Sequence, residues 1–249
     1  MSRVAIIPAR YASERLPGKP LALIAGKPMI QHVYERTRQA RLLDEVIVAT
    51  DDGRVAAAVR AFGGTVVLTP RDVKSGTDRI ALVAQELTRA GVIVNVQGDE
   101  PLIDPAMIDE AVEPLLRDSS LVASTLVRPI SSSEDLASPS IVKVVLNAHG
   151  DCLYFSRSPI PFARDIPSGD WLRTAPYYKH IGLYVFRREF LLHYATLPQT
   201  PLEKAEKLEQ LRILEHGFVI RAVVTGHDSV PVDTADDLKR VRATFEDRP

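Results

Sequence analysis

Four short runs of β-branched and aliphatic residues constrain the fold of this chain more than any other feature. They are residues 4–7 (VAII), Glu45–Thr50 (EVIVAT), Thr65–Leu68 (TVVL) and residues 91–96 (GVIVNV). Each is apolar at consecutive positions rather than alternate ones, the pattern of a strand covered on both faces. Helical periodicity lies between them, at residues 28–40 with Pro28 near the first turn and at about 77–90. A further helix opens at Asp51 or Asp52 and ends before the Gly63–Gly64 pair. Such alternation predicts an α/β fold with a mainly parallel, mixed central sheet flanked by helices and wound in right-handed crossovers.

The pattern changes in the second half. Residues 141–146 and 153–155 flank the turn-like NAHGD at 147–151 and predict an antiparallel hairpin. A longer strand is expected over 177–187, a helix over 201–216, a strand over 218–224 and a last helix over 234–245; residues 157–173, rich in Pro, Arg and Asp, read as an ordered loop. No repeat, low-complexity tract or linker divides the 249 residues. One domain is expected over 1–249, with an α/β half (1–130), an antiparallel subdomain (131–225) and a closing segment (226–249).

Composition narrows the function classes. A net charge of −1 gives no overall field for nucleic acid or an anionic membrane. Cys152 is the only cysteine, which excludes an intrachain disulfide and a cysteine-cluster metal site. No apolar run approaches the roughly 20 residues that span a bilayer, and the opening MSRVAIIPAR turns polar too quickly for a signal peptide. A cytoplasmic protein is the expectation.

In open α/β sheets ligands bind beyond the carboxyl ends of the strands. The loop after the first strand, PARYASERLPGKPL at 8–21, stands there and carries Arg10, Ser13, Arg15 and Lys19 against one acid, Glu14. Guanidinium forks, a hydroxyl and an ammonium suit phosphate oxygens, and two internal prolines stiffen the loop. Neither GxxxxGK[ST] nor GxGxxG is present, so a P-loop or nicotinamide-binding reading is weak. Asp99, in QGDEP beyond the fourth run, is a hard carboxylate in place to meet Mg²⁺ on nucleotide phosphates, or a turn residue. Glu100 beside it points the opposite way on extended chain. Asp233 before Thr-Ala is equally a natural helix N-cap. Ser75, Gly76 and Thr77 open a helix, where hydroxyls and backbone amides converge.

The wording of the motifs goes further. IPARYAS-RLPGKPL resembles the opening signature of 3-deoxy-manno-octulosonate (Kdo) cytidylyltransferases, and SGTDR (75–79) resembles that family's SGTER, with Asp78 in place of Glu. VNVQGDEP (94–101), IVKVV (141–145), LYFSRSPIP (153–161), KHIGLYVF (179–186), PLEKAEKLEQLR (201–212) and VDTADDLKRVR (232–242) continue the resemblance in the family's order. It covers nearly the whole chain.

The resemblance implies a Rossmann-like nucleotidyltransferase fold and a reaction: CTP plus Kdo gives CMP-Kdo and pyrophosphate, for lipopolysaccharide assembly. Arg10, Ser13, Arg15 and Lys19 would hold the triphosphate, with Lys19 and Arg15 meeting charge in the transition state. Asp99 and Asp233 would be the Mg²⁺ ligands, and Ser75, Gly76 and Arg79 would lie near the cytidine. Gln97, Arg157, Arg164, His180, Glu209 and Gln210 would bind the eight-carbon sugar acid, His180 through a pH-sensitive charge. The family also implies a homodimer, with nucleotide binding in 1–130, sugar binding and dimerisation in 131–225, and a metal-ligand segment and helix in 226–249. The alternatives are a sister enzyme acting on 8-amino-Kdo or a sialic acid, and a non-catalytic nucleotide-binding module.

Overall fold

The computed structural model describes residues 1–12, 15–73 and 75–246. Nine strands form one sheet: β1 (Ser2–Ala9), β2 (Glu45–Thr50), β3 (Thr65–Leu68), β4 (Ala90–Asn95), β5 (Ala123–Pro129), β6 (Lys143–Leu146), β7 (Cys152–Ser156), β8 (Tyr178–Arg187) and β9 (Ile220–Val224). The order is β9-β5-β8-β4-β1-β2-β3, with the β6–β7 hairpin attached through β6 to β8. Pairs among β4, β1, β2 and β3 are parallel, as is β9 with β5; β8 runs antiparallel to β4, β5 and β6. The antiparallel strands of the second half therefore continue the sheet built by the first.

Helices cover both faces. They are α1 (Met29–Thr37), α2 (Gly53–Ala61), α3 (Gly76–Glu86), α4 (Pro105–Arg117), α5 (Ser133–Ala137), α6 (Arg188–Tyr194), α7 (Pro201–Glu206), α8 (Gln210–Glu215) and α9 (Ala235–Glu246). Ala5 and Ile7 of β1 pack with α1, α2 and α4, whereas Val4 and Ile6 pack with α3, α6 and α8. That division accounts for the unbroken apolar runs. A third, smaller cluster joins Ile24 and Met29, just after the opening loop, to Val232, Leu238 and Val241 around α9. It holds the two ends of the chain against each other beside the strand termini.

Besides α5 and α6, which the sequence pattern does not predict, two elements depart from the sequence reading. No strand is expected over 121–129, yet β5 lies inside the sheet between β9 and β8; Ser124 and Thr125 interrupt its apolar pattern and are themselves fully buried. The helix expected over 201–216 is two helices, broken where Lys207 takes a left-handed conformation (φ 54°, ψ 48°). A capping box of Thr200 and Glu203 starts the first piece, and the buried Glu203–Arg212 ion pair ties it to the second.

Left-handed backbone costs a non-glycine residue about 1–2 kcal/mol. Lys207→Gly is therefore expected to raise the unfolding free energy by about 1 kcal/mol, and the β-branched Lys207→Val to lower it by a similar amount. Denaturant midpoints at constant slope would check both.

Candidate active site

The loop after β1 folds back because Gly18 adopts φ 71°, with its N–H donating to Tyr11 O at 3.1 Å. A Cβ at Gly18 would lie 3.1–3.3 Å from the Tyr11 ring, which the Arg54 guanidinium covers from 3.4 Å. The single helical turn Lys19–Leu21 follows and carries Lys19 back over the strand ends. The Lys19 ammonium donates to Asp99 Oδ2 at 2.6 Å and to Asp233 Oδ1 at 3.2 Å, and Arg15 Nη2 lies 3.0 Å from the same Asp233 oxygen.

Both carboxylates are placed by backbone. Gly98, after β4, passes so close to β1 that a Cβ would stand 2.7 Å from Pro8 O, which only glycine permits. Asp99 O then accepts from Val232 N at 2.8 Å, bringing the segment before α9 alongside. Asp233 is not the cap of α9. Thr234 Oγ1 accepts from Asp237 N, and the Asp237 carboxylate accepts from the N–H groups of Asp233 and Thr234. The Asp233 carboxylate is left to the cations. Asp236 and Asp237 lie in the first turn of α9, where carboxylates complement the helix dipole.

A cavity of about 450 Å³ opens over this triad, lined by Arg10, Arg15, Lys19, Gln97, Asp99 and Asp233 among others. Arg10 Nη2 donates to Val73 O at 2.5 Å, tying the opening loop to the loop before α3. Ser75 caps α3, its Oγ accepting from Asp78 N at 3.1 Å, and Gly76 borders the cavity. Ser13 lies outside the described residues. Arg79 is fully buried and bonded to Asp51 at 2.9 Å and to Thr69. Burial lowers its pKa against the opposing effect of Asp51. It braces the loop beneath the cavity and offers no exposed donor.

A second cavity, about 230 Å³, shares Gly76 and Gln97 with the first and continues over β4 and β8 towards α8. Glu209 and Gln210 line it, as do Asn95 and Tyr184. Gln97 Nε2 donates to Gly182 O at 3.0 Å, where the β8–β5 register shifts between Ile181 and Tyr184. Burial raises the Glu209 pKa against hydrogen bonds from Thr77 and Ser75, and its Oε2 has no hydrogen-bond partner.

Three expected sugar contacts are placed differently. Arg157 donates to Glu206 O at 2.9 Å and Pro139 O at 3.0 Å, and lines neither cavity. Arg164 points to solvent beside Asp165. His180 meets the Phe155 ring edge to face and lies tilted against Tyr184, with Nε2 2.9 Å from Thr125 Oγ1. Burial pushes its pKa down to about 3, so the ring is neutral near pH 7 and supplies hydrogen bonding without the charge expected of it. Glu100 is buried, its pKa raised to about 7 by burial and by Asp99, and turned away from the triad. Cys152 is a buried thiol whose pKa burial pushes up, which suits packing rather than nucleophilic chemistry. Among the described residues no group of three or more His, Cys, Asp or Glu is assembled to hold a metal. Two carboxylates on one ammonium are nevertheless hard oxygen donors already within reach of a single cation.

The sequence model of the cytidylyltransferase family matches residues 4–223. A protein named 3-deoxy-manno-octulosonate cytidylyltransferase from Geobacter sulfurreducens is 57% identical over 250 residues, covering 97% of this chain and 98% of its own length. Its namesake from Geotalea daltonii is 56% identical over 257 residues, with 100% of each chain covered. The solved structure of a CMP:2-keto-3-deoxy-manno-octonic acid synthetase complexed with CTP superposes with a TM-score of 0.93 at 46% identity, over 100% of both chains. A glucose-1-phosphate thymidylyltransferase from Bacillus anthracis, described as putative, shares the fold alone, at 17% identity and a TM-score of 0.70.

The His180 environment sets a pH dependence. Below pH 6.5 the unfolded chain protonates this histidine, while the folded chain resists until about 3. The unfolded state then binds more protons, so stability falls as pH drops below 6.5, by at most about 1.4 kcal/mol per pH unit from this group. His180→Gln is expected to show a shallower loss of stability between pH 6.5 and 5 than the parent protein, measured by denaturant unfolding at each pH.

Proposed function

The chain belongs to the cytidylyltransferase family, and from that premise we propose that it transfers the cytidylyl group of CTP to 3-deoxy-manno-octulosonate across the boundary between the cavity over the Lys19 triad and the one over β4 and β8. The products are CMP-Kdo and pyrophosphate, the activated sugar serving lipopolysaccharide assembly. One observation carries the reading: cations of the opening loop and carboxylates from residues 99 and 233 meet at one point, beside a polar cavity fit for a sugar.

The sugar's anomeric oxygen forms a bond to the α-phosphorus, the bond to pyrophosphate breaks in line, and the hydroxyl proton passes to water. Negative charge grows on the phosphoryl and leaving oxygens, so positioning and fixed cations account for most of the acceleration. Lys19 and Arg15, now occupied by Asp99 and Asp233, are placed to turn to those oxygens, while Arg10, nearer the start of the same loop and bonded to Val73 O, holds the phosphates beside them. Gly76 lies near the nucleotide, with Ser75 and Arg79 shaping its loop. Gln97, Glu209 and Gln210 orient the sugar, with neutral His180 packed behind Tyr184. Asp99 and Asp233 are the residues that would hold Mg²⁺, with the remaining ligands from phosphate and water. Bound there, the ion would neutralise charge on the phosphate oxygens.

A homodimer is part of this reading, supported by apolar surface in the second half at Leu153 (58% exposed), Phe162 (74%) and Ile166 (38%). Arg157 and Arg164 belong to the same part of the chain. Work in the cytoplasm, where CTP is made, agrees with the absence among the described residues of any helix long and apolar enough to cross a membrane.

Pyrophosphate release is expected from CTP with Kdo, and not from UTP or GTP; a preference for 8-amino-Kdo or sialic acid would redirect the reading to a sister activity. Asp99→Asn, Asp233→Asn and Lys19→Met are each expected to lower kcat at least about 100-fold with the fold intact. Normal turnover in Asp99→Asn would overturn the assignment of the site, and CTP binding with no turnover for any sugar acid would favour a binding module.

A further inference from the structure

Asn95, the last residue of β4, is 2% exposed, yet its carboxamide oxygen has no hydrogen-bond partner. Other polar residues buried in the sheet are satisfied: Ser124 Oγ donates to Ala111 O at 2.5 Å and Thr125 Oγ1 to Leu183 O at 2.8 Å. Buried amides left without partners are uncommon in folded proteins and ask for an explanation. Leucine would fill the same place in an otherwise apolar run, GVIVNV, without that defect.

The cavity supplies the explanation. Asn95 lines the space of about 230 Å³, pairs across the sheet with Tyr184, and shares that space with the second unpartnered oxygen, Glu209 Oε2. Asn95 thus presents an unsatisfied amide oxygen to the cavity from the sheet, while Glu209, whose carboxylate takes hydrogen bonds from Thr77 and Ser75 and keeps one oxygen free, lines it from the segment opening α8. A carboxamide turns about its terminal torsion at little cost, so it can present either oxygen or N–H to a ligand.

Resting on the cytidylyl-transfer reading above, we propose that Asn95 is a specificity-determining residue that hydrogen-bonds the hydroxyl-bearing tail of the sugar acid, the end remote from the anomeric carbon. The orientation follows from the join between the cavities. The reacting oxygen must face the phosphates on the Asp99 side, past Gly76 and Gln97, which border both spaces. The chain stays extended between Asn95 and Gln97, Val96 N donating to Ile6 O at 3.2 Å. Two residues of strand put Asn95 about 6–7 Å farther from the phosphates than Gln97 and on the same face. That is about the distance from the anomeric carbon of a pyranose to the end of a two-carbon tail.

The test compares Kdo with its seven-carbon analogue lacking C8 and its hydroxyl, in the parent enzyme and in Asn95→Leu. Asn95→Leu is expected to raise the KM for Kdo about tenfold, leave the KM for CTP within about twofold, and unfold at the same or a higher denaturant concentration. The parent enzyme should lose a similar factor on the shortened sugar, whereas Asn95→Leu should treat both sugars alike. A merely structural role would not produce that coupling. Should Asn95→Leu fail to fold, Asn95→Ser takes its place, and the parent's response to the shortened sugar still decides. Equal KM values for both sugars in the parent enzyme, an unchanged Kdo KM in the variant, or parallel losses for CTP would overturn the proposal alone. No activity of the parent enzyme with any sugar acid would overturn the cytidylyl-transfer reading and this inference with it.

Discussion

One ammonium, that of Lys19, shared by two carboxylates is the interaction on which the rest of the site depends. Asp99 and Asp233 are separated by more than a hundred residues, and like charges brought together in a half-buried setting repel unless a cation lies between them. Three local facts make the meeting possible. Gly98 lets β4 exit against Pro8 O, Val232 N fastens the closing segment to Asp99 O, and the cluster around Ile24, Met29 and Val232 packs both ends of the chain together. Lys19 then occupies the position where positive charge is needed, and a divalent ion with a triphosphate meets the same requirement.

The sheet sets how the two cavities relate. Its parallel strands end at the phosphate side, and the long antiparallel β8 brings Tyr184 and the irregularity at Gly182 against β4. Gln97, bonded to Gly182 O, stands at the border with Gly76, so the two cavities are lined by different elements and share a wall; in the proposed reading each holds one substrate. In the proposed reading nucleotide contacts come from the loop carrying Arg10, Arg15 and Lys19 and from residues 75–76, and sugar contacts come from β4, β8 and the α7–α8 junction. Changing the sugar therefore need not disturb the phosphate side.

Much of this was legible in the residues, for physical reasons. Glu45–Thr50 and Thr65–Leu68 appear as strands with the boundaries their β-branched runs suggest. The charge of the opening loop pointed to phosphate before any motif was compared, and the motif order pointed to the family. β5 escaped notice because Ser124 and Thr125 break its apolar run, and their hydroxyls are satisfied only by tertiary partners. The break at Lys207 was hidden because a helical pattern runs through PLEKAEKLEQLR without a glycine. The charge state of His180 depends on enclosure by Phe155, Thr125 and Tyr184, none of them near it in β8 except Tyr184. The commitment of Arg157 to carbonyls is likewise a tertiary matter. Asn95 did leave a signal, an amide inside an apolar strand, which periodicity alone passes over.

The central claim is that Asp99 and Asp233 form one cation site that works with the nucleotide. Mn²⁺ binding followed by electron paramagnetic resonance, with and without CTP, tests it most directly in the parent protein, Asp99→Asn and Asp233→Asn. The account predicts that CTP strengthens Mn²⁺ binding in the parent and that either substitution alone abolishes the gain. An unchanged CTP-dependent gain in both variants would contradict it.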